Sequence, residues 1–120
     1  MSMNRGNVTM QGVVVHKDTA PKALFSLPQG ATPLLAVVQT EVAFNDSGTD
    51  TLSLGIPGDA DYYAAAIDVG TPGGQLVALS HSPELGSMGA VLATYTGQNG
   101  DATGGRAVIN LVVAMPFEPR

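Results

Sequence analysis

From Leu34 to Ile56 the chain alternates apolar and polar side chains on either side of one polar turn, and that alternation limits what it can fold into. Leu34, Ala36, Val38, Val42 and Phe44 share one face of an extended chain, with Thr40 the one polar residue among them; Gln39 and Glu41 project from the other. A period of two marks a half-buried strand, because successive side chains of an extended backbone point to opposite sides. Past the turn Asn45-Asp46-Ser47-Gly48-Thr49, Leu52, Leu54 and Ile56 take one side and Thr51, Ser53 and Gly55 the other. Asn, Asp, Ser and Gly tolerate sharp reversal, so the two segments read as the arms of a β-hairpin.

The same pattern extends along the chain. Val13–Val15, Ala23–Leu27, Gln75–Leu79, Val91–Thr96 and Arg106–Met115 are further strand candidates, and the 15 glycines and 8 prolines fall almost wholly between them. In the last segment both faces are largely apolar, which places it centrally in a sheet with cover on both sides. One stretch departs from the pattern. After Pro57-Gly58, Asp59 suits a helix N-cap, Asp61 suits the positive first turn, and Tyr62-Tyr63-Ala64-Ala65-Ala66 reads as a short helix. Met1 to Met10 is polar and aperiodic, so residues 1–10 are expected to be an extended arm and 11–120 a single domain. The expected fold is all-β, an antiparallel β-sandwich or jelly roll with one short helix.

Charged residues make up 12% of the chain, about half the usual share of a soluble domain. A surface so poor in charge must be covered by Ser, Thr, Asn, Gln and Gly or by neighbouring subunits, and the depletion favours assembly contacts. The net charge of −5 argues against nucleic acid, which requires Lys and Arg to neutralise phosphates. Of the 5 basic residues, Arg5, Lys17 and Lys22 cluster near the start, where they suit an acidic partner surface or simply solvate the terminus. Cysteine is absent, which removes disulfides, thiolate metal sites and thiol catalysis together. Met1 to Gly12 lacks the apolar core of a signal peptide, and the apolar runs are too short for a membrane span.

Candidate chemistry is sparse. His16 and His81 stand in no hydrolase motif and read as surface or interface residues. Asp46, Asp50, Asp59 and Asp61 offer oxygen ligands, yet no calcium-loop spacing is met, so no metal and no cofactor is expected. The loop from Gly97 to Gly105 resembles a phosphate cradle only superficially, since it lacks the Lys and the helix of a P-loop. With no Trp, 3 Tyr and 3 Phe, a stacking platform for sugars is thinly supplied, which weighs against a glycosidase and a carbohydrate-binding module. Tyr62 and Tyr63 suit an interface anchor, or one ring packed on the sheet with the other half exposed.

Phe44-Asn45, Asp50-Thr51-Leu52-Ser53-Leu54-Gly55, Asp59-Ala60-Asp61-Tyr62-Tyr63 and Ile67-Asp68-Val69 together resemble small structural proteins encoded among tailed-phage head genes. Ala93-Thr94-Tyr95-Thr96 and Gly100-Asp101-Ala102-Thr103-Gly104-Gly105-Arg106-Ala107-Val108 fit the same pattern. The resemblance is to capsid decoration, or cement, proteins. It implies a non-enzymatic β-sandwich subunit, commonly a homotrimer, on the outer capsid surface of the virion and in the host cytoplasm during assembly. Its partner would be the major capsid protein, with no direct nucleic acid and no membrane. A tail or head-tail connector protein is the alternative. Partner contacts are then expected at Arg5, Lys17, Lys22, Tyr62 and Tyr63.

Overall fold

The computed structural model describes residues 7–27, 31–79 and 89–114. Within them the regular elements are 8 strands: β1 (Asn7–Val15), β2 (Lys22–Leu27), β3 (Thr32–Val42), β4 (Asp50–Ile56), β5 (Asp59–Asp68), β6 (Gly73–Ala78), β7 (Gly89–Gly97) and β8 (Arg106–Ala114). They form two four-stranded sheets, β1-β8-β3-β6 and β2-β7-β4-β5, with every pairing antiparallel. Of the strands consecutive in sequence, only β4 and β5 pair directly; each other connection crosses from one sheet to the other. That order is a jelly roll.

The core lies between the sheets. Val14, Ala36, Val38, Ile109, Leu111 and Val113 come from one sheet and Phe25, Leu52, Leu54, Val91, Ala93 and Tyr95 from the other, all buried. Burying one large aliphatic side chain contributes about 1.5–3 kcal/mol, so this double layer is the main source of stability in a chain without cross-links. The alternation read from β3 and β4 therefore points the expected residues inward, with two exceptions. Register shifts between Pro33 and Leu35 and between Thr40 and Val42 turn Leu34 and Val42 outward, where both are exposed. An extra residue in one strand reverses the side that follows it, and periodicity alone does not reveal where that happens. The final strand is central as expected, between β1 and β3.

Three expectations are corrected. First, β3 and β4 are not a hairpin: they belong to different sheets, and residues 43–49 carry the chain across the sandwich. Second, the expected short helix is β5. Its neighbour β4 presents a row of backbone N–H and C=O groups that need partners, and β5 supplies them. The helix preference of a few alanines, worth tenths of a kcal/mol each, loses to that pairing and to burial of Tyr63, Ala64 and Ile67. Third, β1 begins at Asn7, so residues 7–10 of the expected arm are strand, while Arg5 and the rest of residues 1–6 lie outside the described residues.

β5 is irregular for identifiable reasons. Pro57 and Gly58, the latter at φ +89°, make a two-residue reversal from Ile56 to Asp59 of the type that takes Pro first and Gly second. Leu54 then faces Ala64 and Leu52 faces Ile67, so one extra residue is accommodated, with Ala66 at φ +57° in the left-handed region. The backbone of Asp59 and Ala60 lies where a side chain on Gly55 would have to go.

Candidate functional site

Four crossings, at residues 16–21, 43–49, 69–72 and 98–105, meet at one end of the sandwich. The β1–β2 crossing joins the β7–β8 crossing through His16 N–H to Gly105 C=O (3.3 Å), and Tyr95 N–H donates to Asp18 C=O (3.0 Å). Phe44 N–H donates to Val69 C=O (3.0 Å), which draws in the β5–β6 crossing.

Side chains lace the β3–β4 crossing to the β7–β8 crossing. Asp46 is the centre. Its carboxylate accepts from the backbone N–H of Gly48 (2.7 Å), Asn99 (3.0 and 3.1 Å) and Asp101 (3.0 Å). Asn45 accepts from the N–H of Thr103 (2.8 Å) and Gly104 (3.0 Å) and donates to the Thr103 hydroxyl (2.9 Å). Asp101 accepts from the N–H of Ser47 (2.8 Å) and from its hydroxyl (2.7 Å). Beneath this layer, Asp50 Oδ1 accepts from Asp46 N–H (3.0 Å) and from the Tyr95 hydroxyl (2.5 Å).

Burial pushes the Asp46 carboxyl upward, but the N–H groups of Gly48, Asn99 and Asp101 outweigh it and hold the pKa at about 2. The Tyr95 phenol is pushed well above its ordinary value by burial first, then by its hydrogen bond to Asp50 and by the negative charges of Asp50, Asp46 and Asp101. Tyr95 also packs on Phe44, ring centroids 4.6 Å apart and tilted by 43°. Two shallow recesses flank this network, one of about 350 Å³ beside His16, Thr19 and Tyr95, the other of about 490 Å³ beside Thr49, Asp50 and Asp68.

The network is made for holding loops together. The amides of the 97–105 loop point at Asp46 and Asn45, not into a phosphate cradle. Among the described residues no group of three or more acidic or His side chains is placed to hold a metal ion. Asp46 and Asp50 sit in this network, whereas Asp59 and Asp61 are exposed on β5, so the four carboxylates do not converge. His81 lies outside the described residues.

The expected partner contacts are scattered. Lys17 is exposed in the β1–β2 crossing. Lys22 opens β2 and is tied down, with Nζ 3.2 Å from Asp18 Oδ2 and donating to the Val13 carbonyl at 3.1 Å. Tyr63 is buried and Tyr62 half-buried, their rings edge to face at 5.0 Å and 80°. β2 and β5 are opposite edges of one sheet, so the lysines and the tyrosines form no common patch. The lacing by Asp46 was not foreseen: its partners lie 53 and 55 residues away, and only the prevalence of Asn, Asp and Ser in both loops hinted at it.

No family model matches the sequence. No curated protein is similar to it in sequence either. Solved structures do share the fold. One is a chain of the acidic stable capsid structure of Helicobacter pylori bacteriophage KHP30, with a TM-score of 0.71 at 13% identity over 99% of this chain and 98% of that one. Another is a chain of the cyanophage Pam1 capsid asymmetric unit, with a TM-score of 0.71 at 19% identity over 93% of this chain and 86% of that one.

Proposed function

We propose that this chain is a structural protein of a phage virion, a decoration subunit that binds the outside of the shell formed by the major capsid protein and stabilises it. The observation that carries this reading is the likeness along nearly the whole chain to chains of two phage capsid structures. No large domain is left over on either side of the comparison with the Helicobacter phage chain, so the jelly roll is the unit compared.

Physical features of the fold suit the role. The end where four crossings meet is laced by carboxylates into one rigid cap, which preserves a docking surface without any cofactor. A homotrimer on a local three-fold axis would bridge several shell subunits, and many modest contacts would add through multivalency. Lys17, exposed on the laced end, is the described basic residue best placed for an acidic shell surface.

Cryo-imaging of purified particles of the encoding virus, with and without this gene, tests the reading. Regularly spaced density on the outside of the shell, absent from the deletion particles and restored by added purified protein, is expected, together with earlier heat release of the genome from bare shells. Density inside the shell, or at the tail or the portal, would overturn it. Lys17→Glu should lower occupancy on bare shells.

A further inference from the structure

The two outward faces of the sandwich differ in chemistry. On the β2-β7-β4-β5 sheet the outward positions include Ser26, Thr51, Ser53, Thr94 and Thr96. On the β1-β8-β3-β6 sheet they include Val13, Leu35, Val37 and Val112, which sit in adjacent register: Leu35 opposite Val112, and Val37 between Asn110 and Leu76. Leu34 and Leu76 on the same face are 43% and 71% exposed. Its central polar groups satisfy one another, Gln11 Nε2 donating to Asn110 Oδ1 at 3.1 Å. Its charges, Arg106 and Glu41, pair with each other at one end.

The edges follow the same division. A free edge invites another strand, and proteins usually guard it with charge, bulges or proline. β2 carries Lys22 and a register shift between Ala23 and Phe25; β5 carries Asp59, Asp61, Asp68 and the left-handed Ala66. β1 and β6, the edges of the other sheet, contain neither a charged residue nor a proline. One sheet is guarded on its face and both edges, and the other on none.

We infer that a second copy of this chain covers the β1-β8-β3-β6 face, which is the self-association surface of the protein. Charge selects the occupant. At a net charge of −5, identical copies meeting through most surfaces would set carboxylates against carboxylates, and this face is where that repulsion is absent. Area agrees. Four strands spaced about 4.8 Å apart and about nine residues long span about 19 by 30 Å, roughly 600 Å² before side-chain relief is counted. A stable interface takes about 800 Å² from each partner. The inference stands apart from the decoration reading, since it is read on the isolated protein without any shell.

The test is light scattering on the purified full chain during size exclusion at micromolar concentrations. A mass that is a multiple of 12.2 kDa is expected. Leu34→Glu with Leu76→Glu should reduce it to the single-chain mass while the far-ultraviolet spectrum and cooperative unfolding persist; Ser26→Glu, on the other face, should leave the oligomer intact. Leu76→Glu alone, at a side chain largely in solvent, keeps the test open if the pair unfolds the chain, and should raise the dissociation constant at least about tenfold. A monomeric wild type, an oligomer unmoved by the leucine substitutions, or equal dissociation by Ser26→Glu would each overturn the inference. In the first case, loss of shell binding by Leu34→Glu with Leu76→Glu would assign the face to the shell protein instead.

Discussion

Replacing Gly105 by alanine tests whether the two loops of the laced end are packed as described. Gly105 lies at φ +148°, a conformation that L side chains rarely adopt, and a Cβ there would run into the Phe44 ring and lie 2.9 Å from the Phe44 Cα. The backbone strain costs about 1–3 kcal/mol. Forcing a methyl into packed surroundings adds about 1–3 kcal/mol, because Phe44 is itself held against Tyr95. The sum, about 2–6 kcal/mol, is a large part of the roughly 6–18 kcal/mol expected for a domain of this length. Urea unfolding should show the loss directly, and the thermal midpoint should fall by about 10–20 °C. A double-mutant cycle separates the two contributions. Phe44→Ala alone should cost about 3–5 kcal/mol, and combined with Gly105→Ala the total should fall short of the sum by about 1–2 kcal/mol, because the ring collision has been removed and the backbone strain has not. A Gly105→Ala loss below about 1 kcal/mol, or strict additivity in the cycle, would refute the packing argument.

Three further outcomes are expected. Asp46 has a folded pKa of about 2 against an ordinary 3.8, so the stability it contributes is present above pH 4 and is lost as the pH falls from there through 2; Asp46→Asn should flatten the acid limb of a pH–stability profile. Tyr95→Phe removes one of the two donors to the buried Asp50 and should cost about 1–3 kcal/mol in urea unfolding. Because the folded phenol keeps its proton above the ordinary 10.0, the wild type should also lose stability as the pH rises through 10, and Tyr95→Phe should lessen that loss. Thr40 is buried with a hydroxyl that has no hydrogen-bond partner among the described residues, so Thr40→Val, nearly the same shape, should stabilise by about 1 kcal/mol in the same assay.

The candidate site was legible in the sequence only in its ingredients. Asn45, Asp46 and Ser47 were recognisable as turn formers, and the Gly97 to Gly105 stretch as a loop. That Asp46 serves a loop 53 residues away depends on both crossings leaving the sandwich at the same end, which neither loop encodes by itself. Tyr63 and Tyr62 fit the alternative stated for them, one ring inside and one half exposed, because β5 lies on the core where a helix had been expected.

Alternation, turn residues and the lack of cysteine and charge determined by themselves that this chain would be a β-sandwich, where most strands would lie, and that β8 would be central. Those are local properties: a side chain's face follows from its neighbours one and two residues away. Which strand pairs with which was decided by the tertiary structure. β3 and β4 each carry a hairpin-like pattern, but each buries its apolar face only by joining a different sheet and facing the other across the core. The same holds for β5, where a partner's unpaired backbone overrode the helical leaning of Asp59 to Ala66, and for the bulges that turned Leu34 and Val42 to the surface. Pairing, crossing and bulging depend on what lies opposite in space, and that is fixed only when all the strands are in place.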